Sequence, residues 1–221
     1  MTENKRYAVL GLGSFGSKVA KELFKAGAEV LAVDRNSNVI HEISEEVTKA
    51  VVGDVRNREV LKELDVASYS AAVVSLGESI EASAMVVFHL RELKSRKIIA
   101  KAISSEHRGL LERIGATEVI FPEEETAIRL AKQIIASNLL EYFEIAPGYI
   151  IAEVVTPNSM VGKSLRQLKL RYRYSIQVLL IQQTIPEQIH IFPDPDAPLK
   201  DSDVLIIAGK ADDVYKFAEE K

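Results

Sequence analysis

The 221-residue sequence contains no cysteine. That removes disulfides, thiolate metal sites, iron–sulfur clusters and cysteine nucleophiles from consideration. No run approaches the roughly 20 apolar residues that a membrane-crossing helix needs, so a soluble chain is expected, whose membrane connection would come through a partner. The first residues, Met1 to Tyr7, are polar and lack the apolar centre of a secretory signal. Charge of one sign is missing too: 28 Lys and Arg face 32 Asp and Glu, for a formal net charge of −4. That balance argues against a strongly basic nucleic-acid binder, and no nucleic-acid partner is expected. Low-complexity segments and internal repeats are also absent. What is present is ordinary globular material. Hydrophobic residues make up 47%, enough to bury a core, in a length that suits one large domain or one ordinary domain and a small one.

Strand-like and helix-like patterns alternate as far as Leu140. Tyr7–Leu10 is a short apolar run that stops at a glycine cluster. Ser14–Ala26 then has helical spacing, with Phe15, Val19, Leu23 and Phe24 on one face and Gly27 as its cap. Further strands are expected at Glu29–Val33, Ala50–Val52, Ala71–Leu76, Lys97–Ile103 and Glu118–Phe121. Helices are expected at Asn38–Ile43, Asn57–Leu64, Ile80–Leu93, His107–Ile114 and Glu123–Leu140. Strands that are apolar throughout suit a sheet covered on both faces. Alternation with helices implies right-handed crossovers. The fold class expected is therefore α/β, a Rossmann-like doubly wound parallel six-stranded sheet. After the turn signal Pro147-Gly148 the pattern shifts to strands at Tyr149–Val155, Tyr174–Gln182, Ile189–Phe192 and Val204–Ile207. Proline lacks a ladder donor, so Phe192–Pro198 falls outside any sheet. The expected organisation is an N-terminal lobe over 1–122, a connecting helix over 123–145 and a small α+β C-terminal lobe over 146–221.

Gly11-Leu12-Gly13-Ser14-Phe15-Gly16 fills the pattern G-x-G-x-x-G between a strand and a helix. In that context Gly11 permits a tight turn, Gly13 leaves the backbone open to a phosphate, and Gly16 allows close helix–strand packing. The N–H groups and positive dipole end of the helix then face an anion. Asp34 ends the second strand, 18 residues after Gly16, where a carboxylate accepts ribose hydroxyls and repels a 2′-phosphate. Arg35 follows it and blurs that discrimination. Ligands of such sheets bind off the carboxyl ends of the strands, here Gly53-Asp54-Val55, Leu76-Gly77-Glu78 and Lys101-Ala102-Ile103. Asp54 suits an adenine amino group or a helix N-cap. Gly77 suits a close backbone approach or a plain turn. Lys101 suits a phosphate or a solvated strand end.

Taken together, strand–GLGSFG–helix, VLAVDRN ending at Asn36, VVGDVRN, VVSLGESIEAS, IIAKA and RIGATEVIFPEEE resemble the RCK (KTN) domain. This is the regulatory module of Trk/Ktr-type potassium uptake systems. SLRQLKLRYRYSIQVLLI resembles the TrkA-C lobe that follows it. The resemblance implies a non-enzymatic cytoplasmic gating subunit, peripheral on the inner face of the plasma membrane. Its homo-oligomer would be built from dimers into a ring, expected to be an octamer, beneath a membrane-embedded potassium translocating subunit. It also implies an adenine nucleotide, ATP, ADP, AMP or NAD(H). Asp34 would hold the ribose, Asp54 and Val55 the adenine side, and Gly11 to Gly16 the phosphates. Leu76, Gly77, Glu78 and Lys101 would line the rest. By the same resemblance His107 and Glu123 would approach the phosphates and a divalent cation, Mg2+ or Ca2+. Many Ktr-type members carry arginine where this chain has Ser14, so the choice among these nucleotides stays open.

Five cations, Lys163, Arg166, Lys169, Arg171 and Arg173, cluster in the C-terminal lobe. They form a solvated face or an anion site, and the resemblance implies cyclic di-AMP near Arg171. The competing class is a small NAD-dependent oxidoreductase or a redox-sensing regulator. No Tyr-x-x-x-Lys pair occurs, and no His–Asp pair suggests hydride chemistry. Nor is there a helix-turn-helix segment for a repressor. The apolar residues Leu139, Leu140, Tyr142 and Phe143 past the long helix are expected to pack dimers.

Overall fold

The computed structural model describes residues 5–77 and 79–221. The chain divides into two compact units, Met1–Glu124 and Glu125–Lys221. In the first, six strands are parallel: β1 (Arg6–Leu10), β2 (Glu29–Asp34), β3 (Lys49–Val52), β4 (Ala71–Val74), β5 (Ile98–Lys101) and β6 (Glu118–Ile120). Their order is β3-β2-β1-β4-β5-β6, so the winding reverses between β1 and β4. Helices α1 (Ser14–Lys25), α2 (Ser37–Ile43), α3 (Arg58–Glu63), α4 (Ile80–Glu92) and α5 (Ser105–Ile114) alternate with them.

Strand periodicity explains why these segments are apolar throughout. Successive side chains point to opposite faces, and both faces are covered. On β1, Ala8 and Leu10 join one core cluster and Val9 the other; on β2, Leu31 and Val33 separate in the same way from Val30 and Ala32. The helices begin on side-chain caps that satisfy orphan N–H groups. Asn36, Asn57, Ser79 and Ser104 accept from the backbone N–H of Asn38, Glu59, Ala82 and His107. Helix α1 differs: its N-cap is Gly13, with no side-chain bond and no acid in the first turn. Its first-turn N–H groups are left for something else.

Helix α6 (Pro122–Ile135) leads into the second unit. There β7 (Leu139–Ala146), β8 (Tyr149–Val155), β9 (Gln177–Thr184), β10 (Glu187–His190) and β11 (Asp203–Lys210) make an antiparallel sheet, ordered β10-β9-β11-β8-β7. Short helices α7 (Leu165–Leu168) and α8 (Leu170–Arg173) precede β9, and α9 (Ala211–Ala218) ends the unit. Ile150, Ala152 and Val154 on β8 and Leu205 and Ile207 on β11 pack with Phe217 of α9.

Two expectations are corrected. The helix expected over 123–145 stops at Ile135, and Leu139–Ala146 is a strand that forms a hairpin with β8 through Pro147-Gly148. Gly148 supplies the positive φ of that turn, +76°. Ladder bonds to β8 replace the helical bonds of this apolar stretch, and Asn138 leaves the helix to bond the carbonyl of Glu220. The second correction is α9, which was not anticipated. It seals the sheet with Val214, Phe217 and Ala218, all fully buried.

Candidate functional site

The reversal of strand order between β1 and β4 opens a crevice at the strands' carboxyl ends. The three motif glycines have different duties there. Gly11 has φ +93°, and a Cβ on it would lie 2.2 Å from the carbonyl oxygen of Ser75. A Cβ on Gly16 would lie 2.0 Å from the carbonyl oxygen of Gly11. Both are therefore required by close backbone packing. Nothing lies within 4 Å of a Cβ placed on Gly13. Its backbone is extended, at φ −63° and ψ −175°, a conformation open to any residue. The protein's own packing does not demand this glycine, and it borders the uncapped first turn of α1.

Asp34 closes the crevice on the β2 side. One carboxylate oxygen accepts the N–H of Leu12 at 2.7 Å and the other that of Asn36 at 2.8 Å. The side chain is thus fixed against the glycine turn while each oxygen keeps a lone pair. The Gly11 N–H bonds the Val33 carbonyl and the Ser75 N–H that of Leu10, which ties the turn to the ends of β2 and β1.

These elements enclose a cavity of about 480 Å³. Of the residues singled out from sequence, Gly11, Leu12, Gly13, Asp34, Arg35, Asn36, Asp54, Val55, Leu76 and Gly77 line it. Gly53, named with Asp54 and Val55 at its strand end, lines it too, and so do Val39, Arg56, Ser75, Ser79 and Ala82. Ser75 directly follows β4, which ends at Val74, two residues before the end of the strand expected over Ala71–Leu76. Arg56 gave no signal of its own. It grips Asp54: its Nε donates to both carboxylate oxygens at 2.8 and 3.1 Å, and its Nη2 to one at 2.6 Å. This guanidinium holds the Asp54 carboxyl down at about 2. Asp54 is not the helix cap; Asn57 caps α3.

Other expected residues lie elsewhere. Ser14 and Phe15 sit on the first turn of α1, and Gly16 is buried beneath it. Ala102 is fully buried in the core. Lys101 forms an ion pair with Glu123 and stands over the Phe15 ring, 5.7 Å from its centroid. That pair holds the Glu123 carboxyl below its ordinary value. No group of three His, Asp or Glu that could hold a metal occurs among the described residues. His107, expected near phosphates, is buried at 1% exposure. Its Nε2 lies 2.8 Å from the Ser83 hydroxyl, and its Nδ1 accepts the N–H of Ile103 at 3.3 Å. Burial lowers its pKa. It spans α4 and α5 as a core hydrogen-bonding residue instead of offering charge to an anion. Glu78 lies outside the described residues.

Comparison with known proteins decides the family. The TrkA-N domain model matches residues 7–122, and the TrkA-C domain model matches residues 150–221. The chain is 32% identical over 213 residues to the Ktr system potassium uptake protein C of Bacillus subtilis, covering 96% of each. This chain belongs to the TrkA-N/TrkA-C family. It is also 32% identical over 211 residues to the Ktr system potassium uptake protein A of Vibrio alginolyticus, covering 96% of this chain and 95% of that protein. The GsuK channel bound to NAD shares its fold, with a TM-score of 0.65 at 18% identity over all of this chain and 40% of the channel chain.

The TrkA-C part of this family member has a cavity of its own, about 950 Å³. Arg166, Lys169, Arg171, Tyr172 and Phe192 line it. Arg166 is partly committed, since its guanidinium pairs with Asp196 at 2.6 Å.

Proposed function

We propose that this chain is the cytoplasmic, nucleotide-binding gating subunit of a Trk/Ktr-type potassium uptake system, acting on a membrane-embedded translocating partner and catalysing no reaction itself. The observation that carries this reading is the cavity at the uncapped start of α1, where Gly13 leaves the backbone open beside Asp34. A bound adenine nucleotide supplies a chain of phosphate charge whose length differs among AMP, ADP, ATP and NAD(H). The α1 N–H groups would take that charge, Asp34 the ribose hydroxyls, and the Gly53–Arg56 end the base. Ser14 brings a hydroxyl without a charge to the first turn, and Lys101 is already paired with Glu123. Few cations are therefore free to favour a third phosphate, and ADP, AMP or NAD(H) suit the site as well as ATP. A regulator needs only different affinities for ligand in two conformations.

Assembly into a ring of eight copies, built from dimers, goes with this reading. Helix α6 has no buried residue, yet it carries Ile128, Leu130, Ile134 and Ile135 in exposed positions. Phe143 and Ile145 on β7 are also exposed. Such apolar surface marks contact with a partner. No helix among the described residues is long and apolar enough to cross a membrane. In this reading the pore belongs to the membrane-embedded partner. Native mass spectrometry of the purified protein tests both parts. The expected result is an octamer retaining an adenine nucleotide. A monomer without nucleotide, unshifted in thermal unfolding by ADP, ATP, AMP or NAD, overturns the reading. The cavity of the TrkA-C part favours a second ligand there: Arg171 and Lys169 beside Tyr172 and Phe192 offer charge and flat faces to cyclic di-AMP. Calorimetry with that compound decides it, and no heat at near-millimolar protein removes it.

A further inference from the structure

We propose that the Arg56 guanidinium is the stacking surface for the base of the bound nucleotide, and that Asp54 positions this guanidinium instead of reading the base edge. The inference rests on the nucleotide reading given above. It begins with what lines the cavity. Among the described residues, no aromatic side chain lines it. Purine faces are commonly bound by aromatic rings or by arginine planes. The lining provides two arginines, Arg35 and Arg56.

Only one of the two is held in a fixed plane. The Asp54 carboxylate accepts from Nε and Nη2 of Arg56, at distances between 2.6 and 3.1 Å, and from its backbone N–H at 3.0 Å. A two-point grip on a planar fork sets its orientation as well as its position. Arg56 has thus given up its rotamer freedom before a ligand arrives, which lowers the entropic cost of binding. Arg35 acts on Asp54 only through space, and no comparable grip on it is present among the described residues. For Asp54 the grip has the opposite consequence. Both oxygens are already engaged, so a base amino group has to share an acceptor with a cation. Apolar contacts from Val39, Val55 and Leu76 complete a surface that suits a ring face.

The test compares ADP with inosine diphosphate, whose base replaces the amino group by a carbonyl and keeps the same ring face. Calorimetry is run on the full chain and on Arg56→Lys, which keeps the charge and loses the plane. The expected result is a roughly tenfold weaker Kd for both nucleotides alike, as a lost cation–π or stacking contact costs. Wild-type affinity in Arg56→Lys overturns the proposal, because charge alone would then suffice. A loss confined to ADP, or a wild-type chain that binds ADP but not inosine diphosphate, also overturns it, because the base edge would then be read. A wild-type chain that binds neither nucleotide instead removes the nucleotide reading itself, and this inference with it. The ligand-free unfolding midpoint of Arg56→Lys should match wild type, since the side chain is half-exposed.

Discussion

Alanine at Gly13 and alanine at Gly16 should behave in opposite ways, although both glycines belong to one motif. At Gly16 the added Cβ would stand 2.0 Å from the Gly11 carbonyl oxygen. No side chain can swing aside to relieve that contact, so backbone must move. Overpacking of this kind costs about 1–3 kcal/mol, which lowers Tm by roughly 2–4 °C per kcal/mol in a chain of this size. At Gly13 the added Cβ meets nothing within 4 Å, and φ and ψ already suit alanine. A slightly poorer N-cap and a less flexible unfolded chain offset each other to within about 0.5 kcal/mol. The ligand-free Tm should therefore barely change. The open space at Gly13 is, however, where a phosphate would meet the backbone. Wild type at about 100 Kd of ADP should gain about 2.7 kcal/mol of apparent stability, and Gly13→Ala should lose most of that gain. Thermal unfolding of the three chains with and without ADP measures all of this. Full ADP stabilisation in Gly13→Ala would refute the reasoning about the turn. A Gly16→Ala chain as stable as wild type would refute the packing argument.

Asp34→Ala removes the acceptor of the Leu12 and Asn36 N–H groups. It should lower ligand-free stability by about 1–3 kcal/mol, partly discounted for solvent access, as well as weaken ADP binding; denaturant unfolding separates the two effects. For Asp54, NMR titration should find a pKa of about 2 in wild type, rising towards the ordinary carboxylate value in Arg56→Ala. Since its folded pKa is depressed, the pair's contribution is present above the unfolded pKa and fades as pH falls towards about 2. His107 is also depressed, by burial. The unfolded chain then binds more protons than the folded one as pH falls through the unfolded pKa of histidine, so stability drops on acidification there. His107→Gln should flatten that slope in denaturant unfolding followed against pH. Ile134→Asp with Ile135→Asp, at two exposed positions of α6, should shift native masses towards smaller assemblies; unchanged assembly would exclude this face as a contact.

The local pattern of residues carries most of the parallel sheet. Each strand from β1 to β6 is a short apolar run stopped by glycine, a polar cap or proline, and each intervening helix has a readable cap or stripe. The glycine motif and the strand-end residues Asp34, Asp54 and Gly77 were legible because carboxyl-terminal strand ends meet at one crevice whatever the details. Arg56 was not, because its meaning lies in a bond to Asp54 and in the absence of aromatic lining among the described residues. His107 misled for a related reason. A histidine near a strand end looks the same in sequence whether it faces ligand or core, and burial with Ser83 and Ile103 decides which. The stretch Leu139–Ala146 is apolar enough to extend a helix or to pair as a strand, and the ladder with β8 settles it.

The sequence by itself determined that cysteine chemistry was impossible, that a doubly wound sheet would form and that a glycine turn would open its crevice. These follow from residue types and from periods of two and about 3.6, which are local properties. Tertiary structure alone decided which glycine the fold requires and which it leaves open, which arginine is tethered, and which histidine is buried. Those answers depend on atoms brought from distant parts of the chain to within a few ångströms.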